Sequence, residues 1–155
     1  MATARPPLAA TLLRGAVAGV AGTVVMTGFQ KFVEMPLTRR GDSYAPASLA
    51  EKVLPVQTGS HKGRKRLNDG THLALGVMWG AAHAVATHAG LRGQPAVATV
   101  FATVYSGDVA LNTALGLYQP STWSGRDWVI DVIDKLVQAE ATAAVFDHVV
   151  GPKAS

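Results

Sequence analysis

Cysteine is absent from the chain, which excludes a disulfide scaffold, a thiolate zinc or iron–sulfur site and a cysteine nucleophile. Charge is scarce as well, at 15% of residues against 48% hydrophobic, where an average soluble domain carries about 25% charged residues. That balance excludes a disordered chain. No phosphate loop, GxGxxG, GxSxG or HExxH occurs, so the familiar nucleotide, serine-hydrolase and zinc-protease chemistries have no anchor. No catalytic residue is assigned, and a non-enzymatic role is favoured. The alternation that marks half-buried strands is missing too. VATVFATVY at 97–105 is β-branched, but it lies inside a run much longer than a typical strand of about 5–6 residues.

What the sequence does have is four long apolar runs in 155 residues, enough for one all-α domain. They are Leu12 to Val33, His72 to Leu91, Pro95 to Tyr118 and Trp128 to Val150, with helices expected over about 12–33, 72–91, 95–118 and 127–150. Gly15 to Gln30 has no ionisable side chain, the only ionisable groups of the second run are histidines, and the third has a single charge, Asp108. At about 1.5 Å rise per residue each can cross a hydrocarbon core of about 30 Å, and their glycine and alanine content favours transmembrane helices. The fourth run is amphipathic: Asp127, Asp131, Asp134, Gln138 and Thr142 share one face. It can span with that face turned inward, lie in the interface, or belong to a soluble bundle. The expected architecture is an integral membrane four-helix bundle with one long basic loop, 34–70, between helices one and two.

Punctuation supports the boundaries. Gly90 and Gly93 make a short turn before Pro95, which makes helices two and three antiparallel neighbours. Ser124 is placed to cap the fourth helix, and Ala47 to Leu54 reads as one short helix within the loop. Arg5 and the apolar stretch 16–26 have the outline of a signal peptide. Arg14 interrupts that outline and no small-x-small cleavage site precedes a polar mature chain, so a retained helix is expected.

The net charge of +4 is uneven: residues 1–33 carry +3, 34–70 carry +3 and 71–155 carry −2. A basic first half and an acidic second half argue against a nucleic-acid-binding face over the whole fold. With four spans, the side of the 34–70 loop collects nine Lys/Arg (Lys31, Arg39, Arg40, Lys52, Lys62, Arg64, Lys65, Arg66, Arg126) against Arg5, Arg14, Arg92 and Lys153 on the other. The positive-inside rule then puts the loop in the cytoplasm and both termini outside. The run HKGRKR at 61–66 reads as a solvated loop tip or a contact for anionic lipid.

Two constellations stand out. Gly76, Gly80 and Ala84 on the second helix match Gly15, Gly19 and Gly22 on the first, a small-xxx-small pattern for close helix packing. His72 and His88 continue the same face, but helices one and three offer no histidine, so haem ligation is disfavoured. His83, Asp108 and Glu140 lie near the midpoints of helices two, three and four, with Asn112 one turn from Asp108. An unpaired charge at that depth costs roughly 2.5–3.5 kcal/mol. These groups are read as interhelical hydrogen bonding, with a proton or ion pathway as the sharper alternative. Asp127, Asp131 and Asp134 are weak candidates for a metal, because carboxylates at this spacing hold magnesium–diphosphate in membrane prenyltransferases. No second cluster and no basic diphosphate clamp accompany them.

GAVAGVAGTVVM at 15–26, GVMWGAAHAV at 76–85 and LGLYQPSTW at 115–123 resemble the small bacterial inner-membrane proteins typified by YagU. The likeness covers about two-thirds of the chain and departs at the acidic DWVIDVIDK, 127–135. It implies location in the bacterial plasma membrane and a four-span topology, and no chemistry. The role expected is a structural or accessory subunit of a membrane assembly, partnered by the lipid bilayer and by other subunits or a second copy. The alternatives are ion or proton handling through His83, Asp108, Asn112 and Glu140, and a soluble bundle holding an apolar ligand.

Overall fold

The computed structural model describes residues 6–151, so Arg5 and Lys153 of the charge argument lie outside the described residues. Within them every regular element is a helix, and there is no strand. Helix α1, Leu8–Thr38, is regular to Phe29, widens into a π turn over Gln30–Glu34 and closes with one α turn. The wide turn directly precedes Pro36. In a regular helix the proline ring would meet the carbonyl of Phe32, and the looser turn relieves that clash. Helix α2, Ala45–Val53, buries Ala47, Leu49 and Ala50. Helix α3, His61–His88, and helix α4, Gly93–Ala114, are joined through Gly90 and Gly93 at φ +104° and +56°, backbone that a side chain would strain. Helix α5 runs Gly125–Val145 and continues as a π turn over Phe146–Val150.

The stretch 34–70, expected as a loop, is mostly helix. α1 extends to Thr38, α2 occupies its middle, and α3 begins at His61 instead of His72. The physical reason is local. Ser60 accepts from the Gly63 N–H at 3.1 Å and starts the helix, Lys65 pairs with Asp69 one turn on, and lysine and arginine are good helix formers. HKGRKR is therefore the exposed first turns of a 28-residue helix.

Helix α1 lies antiparallel against both α3 and α5, and α4 closes the far side against the same two helices. The α1–α3 contact is made by backbone: Gly15 meets Gly80, and Gly19 meets Gly76, so that a Cβ at any of the four would overlap the facing chain. Gly22 takes the same role against Thr142 and Gln138 of α5, and Ala84 is fully buried beside Gly15. One apolar cluster joins α3, α4 and α5 through Trp79, Ala86, Val97, Val100, Ala139 and Ala143. A second holds Ala18, Ala84 and Phe146.

Polar side chains share the interior with these clusters. The largest fully buried side chains are Phe146, His83, Gln138, Thr23 and Thr142, whereas Leu13, Val17, Val24, Phe32, Leu37, Val85 and Val149 face outward. Among the described residues one helix, Leu8–Thr38, is long and apolar enough to cross a membrane, with a mean hydropathy of 1.7 over an 18-residue window. The histidines of α3, the Asp108 and Asn112 of α4 and the ionisable groups of α5 keep those helices below that standard.

Candidate functional site

Below the Gly19–Gly76 contact, toward Thr38 and His61, larger side chains replace the glycines and the four long helices open into a cavity of about 500 Å³. That is within the usual size of small-molecule sites. Its wall begins at Thr23 and Gly76 and reaches the bundle end beside α2. Thr27, Gln30 and Glu34 of α1 line one side; Lys65, Asn68 and His72 of α3 line another. Asp108, Asn112 and Tyr118 come from α4 and the turn after it, and Asp131, Asp134, Lys135 and Gln138 from α5.

Local rules place several of these groups. At the N-terminus of α5 the Ser124 hydroxyl accepts from the Asp127 N–H, and the Asp127 carboxylate accepts from the Ser124 N–H at 2.9 Å, a reciprocal cap. The helix phase set there puts Asp131, Asp134 and Gln138 on the cavity side. At the end of α4, Gly116 adopts φ +73° and the N–H groups of Leu117 and Tyr118 donate to the Asn112 carbonyl, which folds Tyr118 back over the cavity. On the other wall α2 is tied to α3 by Asn68, which accepts from the Ala47 N–H at 3.1 Å and donates to the Ser43 carbonyl at 3.2 Å.

The deep part of the cavity is acidic and rich in acceptors. Gln30 donates to Asp134 Oδ2 at 2.7 Å, but Asp134 Oδ1 has no partner. Gln138 donates to the Gly19 carbonyl at 3.3 Å and to Thr142 at 3.2 Å, leaving Oε1 unpartnered. Asn112 donates to Asp108 Oδ1 at 3.0 Å, and Lys135 stands 3.6 Å from Asp108 Oδ2. Asp131 Oδ2 is buried without a hydrogen bond. Three carboxylates thus face one ammonium. At the mouth the signs balance, with Lys31, Arg40 and Lys65 set against Glu34, Asp42 and Asp69.

The residues singled out in the sequence are dispersed. Asp108 and Asn112 meet in the cavity. His83 does not join them: it is 1% exposed, its Nε2 stands 3.7 Å from Asp147, and its ring packs edge-on against Phe146. Glu140 accepts from Gln94 at 3.2 Å, at the opposite end of α4 from Asp108. Because α3 starts at His61, His83 lies well past its middle, and the depth argument that grouped the three loses its basis. Asp127, Asp131 and Asp134 do not converge either. Asp127 is engaged by Ser124 and Arg40, Asp134 turns to α1, and Asp131 turns toward Lys135 and Tyr105. Among the described residues no group of three or more His, Asp or Glu side chains is placed to hold a metal ion. Gln30 and Lys135 carried no sequence signal beyond being polar residues at the edge of apolar runs.

No family model, no curated protein and no solved structure matches the chain.

Proposed function

We propose that this chain is a small integral membrane protein whose helix bundle carries a polar vestibule open at the end beside α2, and that it binds a small polar solute there. The observation that carries this reading is the outer surface: Leu13, Val17, Val24, Phe32, Leu37, Val85 and Val149 face outward, while Thr23, His83, Gln138 and Thr142 are buried among the apolar clusters. In water that surface would leave large apolar side chains exposed to solvent. In lipid the outward apolar surface is matched, and buried amides and hydroxyls supply hydrogen bonds between helices. The lengths agree. Helices of 22 and 28 residues extend about 33 and 42 Å, which leaves the basic first turns of α3 outside a core of about 30 Å. The Lys/Arg excess beside α2 supports a cytoplasmic vestibule mouth in a bacterial plasma membrane.

The test is fractionation of the expressed full chain. The reading requires retention in the membrane pellet through an alkaline carbonate wash and release by detergent alone. A chain that washes off, or that is soluble from the start, ends it and returns the bundle to the soluble, ligand-binding alternative.

A second reading, an accessory subunit, draws on α4. Ala98, Ala102, Ser106, Ala110 and Ala114 are all exposed at strict four-residue spacing, a stripe against which another helix packs closely in lipid. Size-exclusion with light scattering in detergent decides it. A monodisperse monomer with no co-purifying subunit counts against it.

A further inference from the structure

We infer that residues 39–43 form a strap across the mouth of the vestibule, latched by the Arg40–Asp127 ion pair, and that release of this latch admits solute. The inference deepens the solute-vestibule reading and rests on it.

The strap is fixed at both ends and weakly held between them. It leaves α1 at Thr38, whose carbonyl accepts from Arg126 of α5 at 2.9 Å. It reaches α2 at Ser43, whose carbonyl accepts from Asn68 of α3 at 3.2 Å, and the buried Ala47, Leu49 and Ala50 anchor α2 beyond it. A segment tied to α1 and α5 at one end and to α3 at the other has to cross the end of the bundle, and Arg40, Gly41, Asp42 and Ser43 all line the cavity there. Between these two posts, the one tie to another helix among the described residues is the Arg40 guanidinium on the Asp127 carboxylate. Gly41 and Asp42 make no hydrogen bond among the described residues. The latch is weak, because both partners are exposed, at 43% and 36%, and an exposed ion pair contributes little and is screened by salt. The backbone on either side of it is free to turn. Arg39 stands at φ +57°, a left-handed conformation that disfavours a side chain and that release of the strap can relieve, and Gly41 has nothing packed within 4 Å of where a Cβ would stand.

The experiment uses the full chain purified in detergent, with a single cysteine at one of two half-buried positions on the cavity wall, Thr27→Cys on α1 or, as an independent reporter, His72→Cys on α3. The chain has no other cysteine. The probe is hydroxyethyl methanethiosulfonate, which is neutral, so a lost charge does not change its attraction, and its reaction rate reads access to the cavity. Arg40→Gln should raise that rate about three- to fivefold at both reporters, the range an exposed ion pair allows, whereas Arg40→Lys should stay within about twofold of the parent. Raising sodium chloride from about 50 to about 500 mM should raise the parent's rate by a similar factor and leave that of Arg40→Gln unchanged. Lys62→Gln removes the same charge from the same end of the bundle, where Lys62 has no ion pair among the described residues, and should keep the parent's rate. Asp127 is left intact because it also caps α5. Equal rates in the parent and Arg40→Gln, or a parent rate indifferent to salt, overturn the strap and leave the vestibule reading standing. An equal rise in Lys62→Gln assigns the effect to net charge and overturns the strap as well. Reporters that react only after denaturation in dodecyl sulfate, in every variant, overturn both.

Discussion

Gln30 of α1 and Asp134 of α5, 104 residues apart in sequence, are joined by a 2.7 Å hydrogen bond from amide to carboxylate. It closes one wall of the vestibule and is the bond that partners Asp134. Gln30→Ala removes the donor and leaves a buried carboxylate alone, an expected loss of about 1–3 kcal/mol. Gln30→Glu puts a like charge there and should cost more. Thermal unfolding in detergent reads both, and unchanged midpoints would show the bond to be incidental.

Glycines of the two packed helices α1 and α3 should respond in opposite ways. Gly80→Ala drives a methyl into the Gly15 carbonyl and separates two backbones, at an expected cost of about 1–3 kcal/mol. Gly28→Ala on α1 meets nothing within 4 Å, so the relief of glycine's chain entropy should stabilise by about 0.5–1 kcal/mol. Equal midpoints for the two variants would mean that the α1–α3 contact does not hold the bundle together.

The cap of α5 gives a pH dependence of known sign. The Ser124 hydroxyl, then its backbone N–H and the neighbouring Arg40, hold the Asp127 carboxyl below its ordinary value. A carboxyl depressed by folding stabilises fully above its unfolded value, and that stabilisation is lost as pH falls through the folded one. The stability difference between the parent and Asp127→Asn should therefore be constant at neutral pH and shrink on acidification below about pH 4. Ser124→Ala should cost about 1 kcal/mol at neutral pH. A difference that grows on acidification would contradict the cap.

Topology is open to labelling because the chain has no cysteine of its own. Gln57→Cys and Ser121→Cys lie at the α2 end, and Ala89→Cys lies in the α3–α4 turn at the other end; all three positions are exposed. A membrane-impermeant maleimide applied to intact cells should label Ala89→Cys alone. Labelling of all three, or of Gln57→Cys and Ser121→Cys only, would reject the proposed orientation.

Some of this was legible in the sequence. The capping of α5 by Ser124 is local: the residues that make it are three apart. The helical turns before His72 were hidden because a search for apolar runs passes over polar helix, and HKGRKR is polar. Pro36 read as a loop residue, yet a π turn absorbs it within α1. Gln30 and Lys135 were invisible as site residues because their partners, Asp134 and Asp108, lie on other helices.

The sequence by itself determined that the chain is helical, since the periodicity of apolar residues and the bonds of a helix both act within four positions. It also determined that little charge would be available for the surface. The tertiary structure alone decided which polar groups meet. A helix can slide by 1.5 Å per residue or rotate by 100° without changing its own hydrogen bonds, and it is the glycine contacts of α1 with α3 and α5 that lock those offsets. With them locked, Asp108 faces Lys135 instead of Glu140, His83 faces Asp147, and Asp134 meets Gln30.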